Sequence, residues 1–153
     1  MLGDDHAKSN EATYRLVCQT CKSEDELIVQ LRALWERVKV TLPDEAVTYD
    51  VANQLGVQLR KKGQYEEAKL VYLAALEGRR RVLWEEHEDT LATLNNMGVV
   101  LDDLKDYEGA LDYYQQALRV KEKVLGKTYP HTLDTFMNIA TVYIEGLEDF
   151  TKP

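Results

Sequence analysis

The sequence predicts an all-α protein of about seven helices arranged in repeated antiparallel pairs. Two observations support this prediction: the chain matches itself at a spacing of 42 residues, and leucines recur at three- and four-residue intervals within each copy. Leucine at that interval is the period of an amphipathic helix. No segment shows the sustained alternation of apolar and polar residues that is typical of a half-buried strand. Self-similarity at a fixed period indicates a solenoid.

The internal repeat is clearest when residues 46–84 are aligned with residues 88–126. Thirteen of the 39 aligned positions are identical, without a gap. A third copy begins after residue 126, and a degenerate copy precedes the first complete one. We therefore divide a single domain, residues 1–153, into a degenerate repeat 4–43, complete repeats 44–85 and 86–127, and a partial repeat 128–153. The repeated residues include Thr48/Thr90, Asn53/Asn95, Gly56/Gly98, Tyr65/Tyr107, Ala68/Ala110, Tyr72/Tyr114 and Ala75/Ala117.

Each repeat divides into a first and a second helix. Gly63–Gln64 and Lys105–Asp106 supply the turn between the two halves. Pro43 and Pro130 fall at the joins between repeats, and proline is tolerated in the first turn of a helix, so both are expected to start a first helix. We predict helices at residues 8–20, 23–40, 44–61, 65–83, 88–103, 107–124 and 130–146. Trp35 and Trp84, near the ends of second helices, are expected to be packing residues.

Repeated small residues predict how the helices of a pair pack. Gly56 and Gly98 lie in helix interiors, where glycine costs about 1 kcal/mol relative to alanine. We therefore expect the neighbouring helix to approach too closely for a Cβ atom. Because Ala140 takes the place of Gly98 in the third repeat, we expect Gly98→Ala to be mild. The gaps between repeats are expected to be filled by Tyr65, Tyr72, Tyr107 and Tyr114.

Composition argues against several classes of partner. Acidic residues outnumber basic ones by 27 to 19, for a net charge of −8. An acidic chain repels phosphate backbones, so we expect no nucleic-acid partner; the dense basic run Arg79–Arg81 ends a helix, where positive charge complements the dipole. Apolar runs are too short to span a membrane, and the N-terminus lacks the basic-then-apolar order of a signal peptide. We expect a cytoplasmic protein without a membrane partner.

Cys18 and Cys21 form a Cys-x-x-Cys pair, a spacing found in metal and redox sites. A structural zinc site requires four ligands, and the chain has no second cysteine pair and only scattered histidines. A redox motif requires a strand–helix context that is missing. We interpret the pair as ordinary cysteines at a helix end, and we expect no metal and no cofactor.

The sequence contains no evident catalytic set. It has no glycine-rich phosphate loop, no histidine with a plausible nucleophile, and no paired carboxylates in an evident pocket. Asp102 and Asp103 are adjacent and therefore point to different angles of their helix. We predict that the protein is not an enzyme.

Several of the repeated motifs resemble those of a known family. Leu55–Gly56, Met97–Gly98, Ala68–Tyr72 and Ala110–Tyr114 resemble the tetratricopeptide pattern. The 42-residue form, with the stretches 87–98 and 117–126, closely resembles the repeats of kinesin light chains, and residues 129–133 resemble the start of a further one. The resemblance implies a right-handed superhelical α-solenoid. It also implies a concave groove, lined by the first helices, that binds cargo peptides.

The resemblance further implies which positions face that groove, counted from the repeated glycine. They are Asp50, Asn53, Val57, Arg60 and Lys61 in the first complete repeat, Ala92, Asn95, Val99, Asp102 and Asp103 in the second, and Asp134, Met137, Thr141, Ile144 and Glu145 in the third. Asparagine suits peptide binding because its amide both donates and accepts hydrogen bonds; alternatively, Asn53 and Asn95 bond only between neighbouring helices. We predict peptide binding by Asn53, Val57, Arg60, Lys61, Asn95, Val99, Asp102, Asp103 and Thr141.

These inferences predict a protein-interaction scaffold that binds an extended peptide or a partner helix. The alternative is an assembly module that docks through its repeat ends without a peptide ligand. Leu133, Phe136 and Tyr143 of the third repeat lie on faces that pack against other helices in a complete unit. An exposed apolar patch tends to find a partner, so we expect possible self-association through this C-terminal helix.

Overall fold

The structure, a computed structural model, describes residues 2–151, with side chains described at residues 10–149 and 151. Within this range the regular structure is helical and includes no strand. No helix in the range is both long and apolar enough to span a bilayer. The bounds of the fourth, fifth and sixth helices are those predicted, whereas the first begins earlier and the last extends further. The helices are α1 (Leu2–Thr20), α2 (Glu24–Thr41), α3 (Ala46–Lys61), α4 (Tyr65–Leu83), α5 (Glu88–Asp103), α6 (Tyr107–Val124) and α7 (Pro130–Thr151).

The helices group into two compact units. The first, Met1–Leu83, contains α1 to α4, and the second, Trp84–Pro153, contains α5 to α7. In the first unit α3 packs against both α2 and α4, and in the second α6 packs against both α5 and α7. This is the packing of consecutive helix pairs in an all-α solenoid. The organisation as a single domain stays a prediction.

The two joining prolines have different roles. Pro130 is the first residue of α7, as predicted. Pro43 is not in α3, which begins at Ala46 after an N-cap residue, Glu45. The Pro43 carbonyl accepts hydrogen bonds from the Tyr49 hydroxyl and from Arg81 Nη2, the latter at 2.7 Å. Pro43 therefore belongs to the connection between α2 and α3, and the expectation that it starts a helix is wrong.

The predicted close approach at the repeated glycines is confirmed in both complete repeats. A Cβ atom added at Gly56 would lie 2.6 Å from Tyr72 Cε1, and one at Gly98 would lie 2.5 Å from Tyr114 Cε1. Both tyrosines are buried within their own helix pair. The expectation that Tyr72 and Tyr114 fill gaps between repeats is therefore wrong, because their rings occupy the space that the glycines leave open.

The same contact contradicts the expectation that Gly98→Ala is mild. A separation of 2.5 Å is far below a normal van der Waals contact, and the buried Tyr114 ring has little room to move. Ala140, the equivalent residue in the third repeat, is exposed on α7. The two positions differ because no second helix follows α7 among the described residues.

At one pair of positions, one on each helix of the repeat, the two complete repeats divide the side-chain volume differently. A Cβ atom added at Gly78 would lie 1.9 Å from Tyr49 Cε1, so the ring of Tyr49 fills the space beside that glycine. In the next repeat, 42 residues later, the same two positions are Leu91 and Val120. A large residue opposite the smallest one is thus replaced by two residues of intermediate size.

Two positions with left-handed backbone also alternate between the repeats. The turn after α3 has Gly63 at φ 75°, and its equivalent after α5 is Lys105 at φ 62°. Trp84 has φ 64°, and its equivalent is Gly126 at φ 91°. This region costs a residue with a Cβ atom about 1–2 kcal/mol. Trp84 is 64% exposed, so the prediction that it packs is wrong, whereas Trp35 is buried as expected.

The repeated threonines at the start of the first helices bind the preceding connection. The Thr48 hydroxyl donates to the Leu42 carbonyl at 2.5 Å, and the Thr90 hydroxyl donates to the Trp84 carbonyl at 2.8 Å. Both acceptors lie six residues earlier, and both threonines are fully buried. The repeated Thr thus ties the beginning of each first helix to the chain that leads into it.

Candidate functional site

In the first unit, the predicted groove positions lie along α3. Asn53, Val57 and Arg60 are half-buried, and Lys61 is exposed. Spacings of three, four and seven residues place them on one side of the helix. These side chains are therefore accessible from one side of α3, as residues of a binding surface must be.

An ion pair with a buried arginine lies at the beginning of this surface. Arg79 Nη2 of α4 lies 2.7 Å from Asp50 Oδ1 of α3, and the Arg79 side chain is only 4% exposed. Tyr14 of α1 lies nearby: burial, together with interactions with Cys18 and with the charge of Asp50, raises the pKa of Tyr14 to about 12. Sequence reasoning missed the positions of Tyr14 and Arg79 in the site. The cation retained 42 residues later, at Lys121, was the available signal for Arg79.

In the second unit, α5 and α7 carry the remaining predicted positions. Asn95 and Val99 are half-buried, as are Asp102 and Asp103, whereas Thr141 is exposed. The predicted positions on α3 belong to the first unit, and those on α5 and α7 belong to the second. A continuous groove that includes both sets stays a prediction.

Part of the Asn95 side chain bonds to a neighbouring helix, as the alternative to peptide binding predicts. The Thr135 hydroxyl of α7 lies 3.4 Å from Asn95 Oδ1, within reach as a weak donor, and 3.1 Å from the His131 carbonyl. The Asn95 oxygen thus contacts a neighbouring first helix. No hydrogen bond from the Asn95 amide nitrogen is found among the described residues, and this nitrogen is the group that remains for a ligand.

Lys121 is the buried cation of the second unit. Its Nζ donates to Thr135 Oγ1 at 3.0 Å and to the His131 carbonyl at 3.2 Å, and the residue is only 6% exposed. Burial lowers the pKa of Lys121, and the negative charge of Asp134 opposes that shift. A buried ammonium group is costly unless hydrogen bonds or an opposite charge compensate it.

A pocket of about 350 Å³ opens beside Lys121. It lies where the first half of α5, the end of α6 and the start of α7 meet. Ala92 and Asn95, two predicted groove positions, belong to its wall, so the pocket lies on the predicted groove side. Its other lining residues include Glu86, Glu88, Leu91, Tyr129 and His131.

Glu145, one of the acidic positions predicted to face the groove, is paired with a lysine. Lys105 Nζ lies 3.1 Å from Glu145 Oε2, and the hydrogen bond to this carboxylate raises the pKa of Lys105. Lys105 is the residue with left-handed backbone at the end of α5, so a strained turn presents the cation to α7.

The cysteine pair lies at the end of α1. Cys18 is in its last turn and exposed, Cys21 follows the helix, and neither forms a disulfide. Partial desolvation of the sulfur raises the pKa of Cys18, which favours the neutral thiol. In the described range, no three residues among His, Cys, Asp and Glu are grouped closely enough to hold a metal ion.

Comparison with known proteins supports the repeat type. A family model described as tetratricopeptide repeat matches residues 44–123. No curated protein sequence matches the chain.

Solved structures with the same fold include a crystal structure of BtubC (BKLC) from P. vanneervenii. It is 22% identical, with a TM-score of 0.73 over 83% of this chain and 51% of that one. This chain thus spans about half the length of that protein.

Two structures of a Podosopora anserina protein with kinesin light chain-type, nearly identical TPR-like repeats are also similar. They have TM-scores of 0.71 and 0.69, both at 16% identity, and the matches cover 93% of this chain and 77% and 78% of those. With a family match that spans more than half of its length, the chain belongs to the tetratricopeptide repeat family, and it has the fold of kinesin light chain-like repeats.

Proposed function

We propose that the protein binds an extended peptide on the surface formed by its first helices. Tetratricopeptide repeats are protein–protein interaction scaffolds rather than a catalytic type of fold, and stacked helix pairs provide long binding surfaces. The cytoplasmic location expected from the sequence is part of this proposal.

One observation on α7 supports peptide binding most directly. At two of its predicted groove positions, the large apolar residues Met137 and Ile144 are 67% and 59% exposed. Neighbouring positions offer amide and hydroxyl groups from Asn95 and Thr141. Exposed apolar anchors beside a few polar groups are typical of peptide-binding surfaces.

The proposal is tested by selecting peptides from a displayed library on the whole protein and measuring their affinities by calorimetry. We expect Met137→Lys to weaken the binding of a selected peptide by about tenfold or more. The substitution removes an apolar contact that the bound peptide would bury, worth about 1.5–3 kcal/mol. Leu70→Lys is the matched control, because Leu70 is 65% exposed on α4, outside the predicted groove positions. Equal affinities for both variants and the parent would refute the proposal.

The basic residues of α3 give the proposal a second test. Arg60 and Lys61 should favour acidic peptides. Because exposed ion pairs contribute only about 0.2–1 kcal/mol each, these residues should affect the orientation of the bound peptide and the salt dependence of binding more than the affinity. Reversing both to Glu should weaken an acidic peptide and flatten its dependence on salt. Unchanged binding after this reversal would exclude α3 from the surface.

A second candidate function is assembly through the outer face of α7, with a second copy of the chain as the partner. Leu133, Phe136 and Tyr143 are exposed there. The residues 42 positions earlier, in α5, are buried, and they are Leu91, Leu94 and Leu101. Sedimentation over a wide concentration range tests this: we expect a dimer that Tyr143→Lys dissociates, and a strictly monomeric protein would refute it.

A further inference from the structure

The two complete repeats place a buried cation at the same position of the second helix. It is Arg79 in α4 and, 42 residues later, Lys121 in α6. Both side chains are almost fully buried, at 4% and 6% exposure. The environments of these two cations can therefore be compared position by position.

In the first repeat a carboxylate contacts the cation directly, whereas among the described residues no carboxylate lies within ion-pair distance of Lys121, and the negative charge of Asp134 acts on it only from further away. Asp50 lies 2.7 Å from Arg79. The residue 42 positions after Asp50 is Ala92, which has no polar side-chain atom. Lys121 instead donates to a hydroxyl and a backbone carbonyl, both uncharged. The ammonium group has three donors, so these two acceptors do not exhaust it.

The pocket described above lies where the missing carboxylate would be. Both Ala92 and Lys121 line it, and Asn95 stands one turn further along α5. In the first repeat the equivalent volume is reached by the carboxylate of Asp50. In the second it is open, with room for several non-hydrogen atoms at about 350 Å³.

Lys121 is the one lysine or arginine among the residues that line the pocket, and Glu86 and Glu88 line it as well. Glu86 is paired with Lys123 at 2.6 Å, and His131 lies 3.5 Å from Asp134. Glu88 stands at the rim, in the first turn of α5. A ligand with one carboxylate can reach Lys121, whereas a second carboxylate held near Glu88 would be repelled.

We propose that this pocket binds a carboxylate group of a partner, which takes the place beside Lys121 that Asp50 takes beside Arg79. The inference rests on the proposed peptide-binding function for the source of the carboxylate, which is an acidic side chain or a peptide C-terminus. Lys121 binds the carboxylate oxygens, and the Asn95 amide nitrogen is placed to donate to them.

Small probes test the pocket without any peptide. The whole protein, labelled with ¹⁵N, is titrated with N-acetylglycine, which carries a terminal carboxylate, and with N-acetylglutamate α-amide, which carries a side-chain one. N-acetylglutamine α-amide is the neutral control. We expect saturable shifts at Ala92, Asn95 and Lys121 with a carboxylate probe and none with the control. The stronger of the two probes identifies the source.

Three variants make the test specific. Ala92→Asp restores the arrangement of the first repeat within the chain, so it should stabilise the protein and block the probes. Lys121→Met keeps the length of the side chain and should weaken the probes by about tenfold or more, the fold-change of one charge-assisted hydrogen bond. A third variant, Asp50→Ala, should create a similar response beside Arg79.

The outcomes separate this inference from the proposed function. Carboxylate shifts that are absent in the parent, or that persist undiminished in Ala92→Asp, overturn the pocket even if selected peptides bind the α7 surface. Carboxylate binding that is lost in Ala92→Asp supports the pocket even if no peptide is selected. Because Ala92 is exposed and Asp is compatible with the start of a helix, Ala92→Asp should fold, and circular dichroism verifies this.

Discussion

Two glycines of the second unit should respond in opposite ways to the same substitution. Gly98 in α5 faces the ring of Tyr114, and a Cβ atom there would lie 2.5 Å from Cε1. Gly146 in α7 faces Tyr107, and the nearest ring atom would lie at 3.5 Å, an ordinary van der Waals distance. Both lie inside helices of one compact unit. Alanine at each position therefore differs mainly in whether its methyl group fits.

The gain in helix propensity is the same at both glycines, whereas the packing cost differs. Alanine in place of glycine in a helix interior stabilises by about 1 kcal/mol. At Gly146 nothing opposes this gain, so Gly146→Ala should stabilise by up to about 1 kcal/mol. At Gly98 the methyl group must displace a buried ring, and overpacking of this kind costs about 1–3 kcal/mol. Gly98→Ala should therefore fall below Gly146→Ala by about 1–3 kcal/mol in unfolding free energy.

Urea unfolding followed by circular dichroism measures both variants under the same conditions. Tyr114→Leu in the Gly98→Ala background is the matched test of mechanism, since it removes the ring that the methyl group meets. We expect the double variant to be more stable than the sum of its two single effects predicts. Equal stability of the two alanine variants, or strict additivity with Tyr114→Leu, would show that the helices can separate without cost.

Single substitutions also test the backbone at Trp84, the packing at Gly78 and the buried Lys121. Trp84→Gly should stabilise by about 0.5–1 kcal/mol, because relief of a left-handed conformation exceeds the added chain entropy; a loss of stability on urea unfolding would contradict it. Gly78→Ala should destabilise by about 1–3 kcal/mol, and Tyr49→Leu in the same chain should reduce that loss; additive effects would argue against the contact. Burial lowers the pKa of Lys121 in the folded protein. Between that lowered pKa and the ordinary value of 10.5, the unfolded chain therefore binds more protons than the folded protein. The contribution of Lys121 to the free energy of unfolding consequently rises with pH in this window. Lys121→Met should lose that rise in urea midpoints measured up to pH 10.5, and parallel profiles for the two proteins would contradict it.

The sequence was sufficient to predict the features that recur from one repeat to the next. Helical period and turn residues predicted the bounds of α4, α5 and α6, and repetition of Gly56 and Gly98 predicted close approach of the paired helix. These features are local, or they recur, and so they can be recognised without three-dimensional contacts. The tetratricopeptide fold followed from them.

Other features depend on which atoms meet, and the sequence did not predict them. The tolerance expected at Gly98 was wrong because the ring of Tyr114 enters the pair, and the direction of a tyrosine cannot be derived from its spacing. The pocket at Lys121 was missed because its cause is a difference between repeats, Ala92 where Asp50 stood, whereas the alignment emphasised identities. The roles predicted for Asn53 and Thr141 stay predictions, since peptide contact requires a ligand.

The exchange of volume between Tyr49–Gly78 and Leu91–Val120 limits how these repeats can be recombined. Each pair is matched within its own 42-residue segment, so a chimera whose breakpoint lies between segments keeps both matches. A breakpoint inside a segment, between its first and second helix, would set Tyr49 against Val120 in one product and Leu91 against Gly78 in the other. The first product would be overpacked and the second would contain a cavity, faults that each cost about 1–3 kcal/mol. The transferable module is therefore the whole helix pair, and shuffling single helices would select against most of its products.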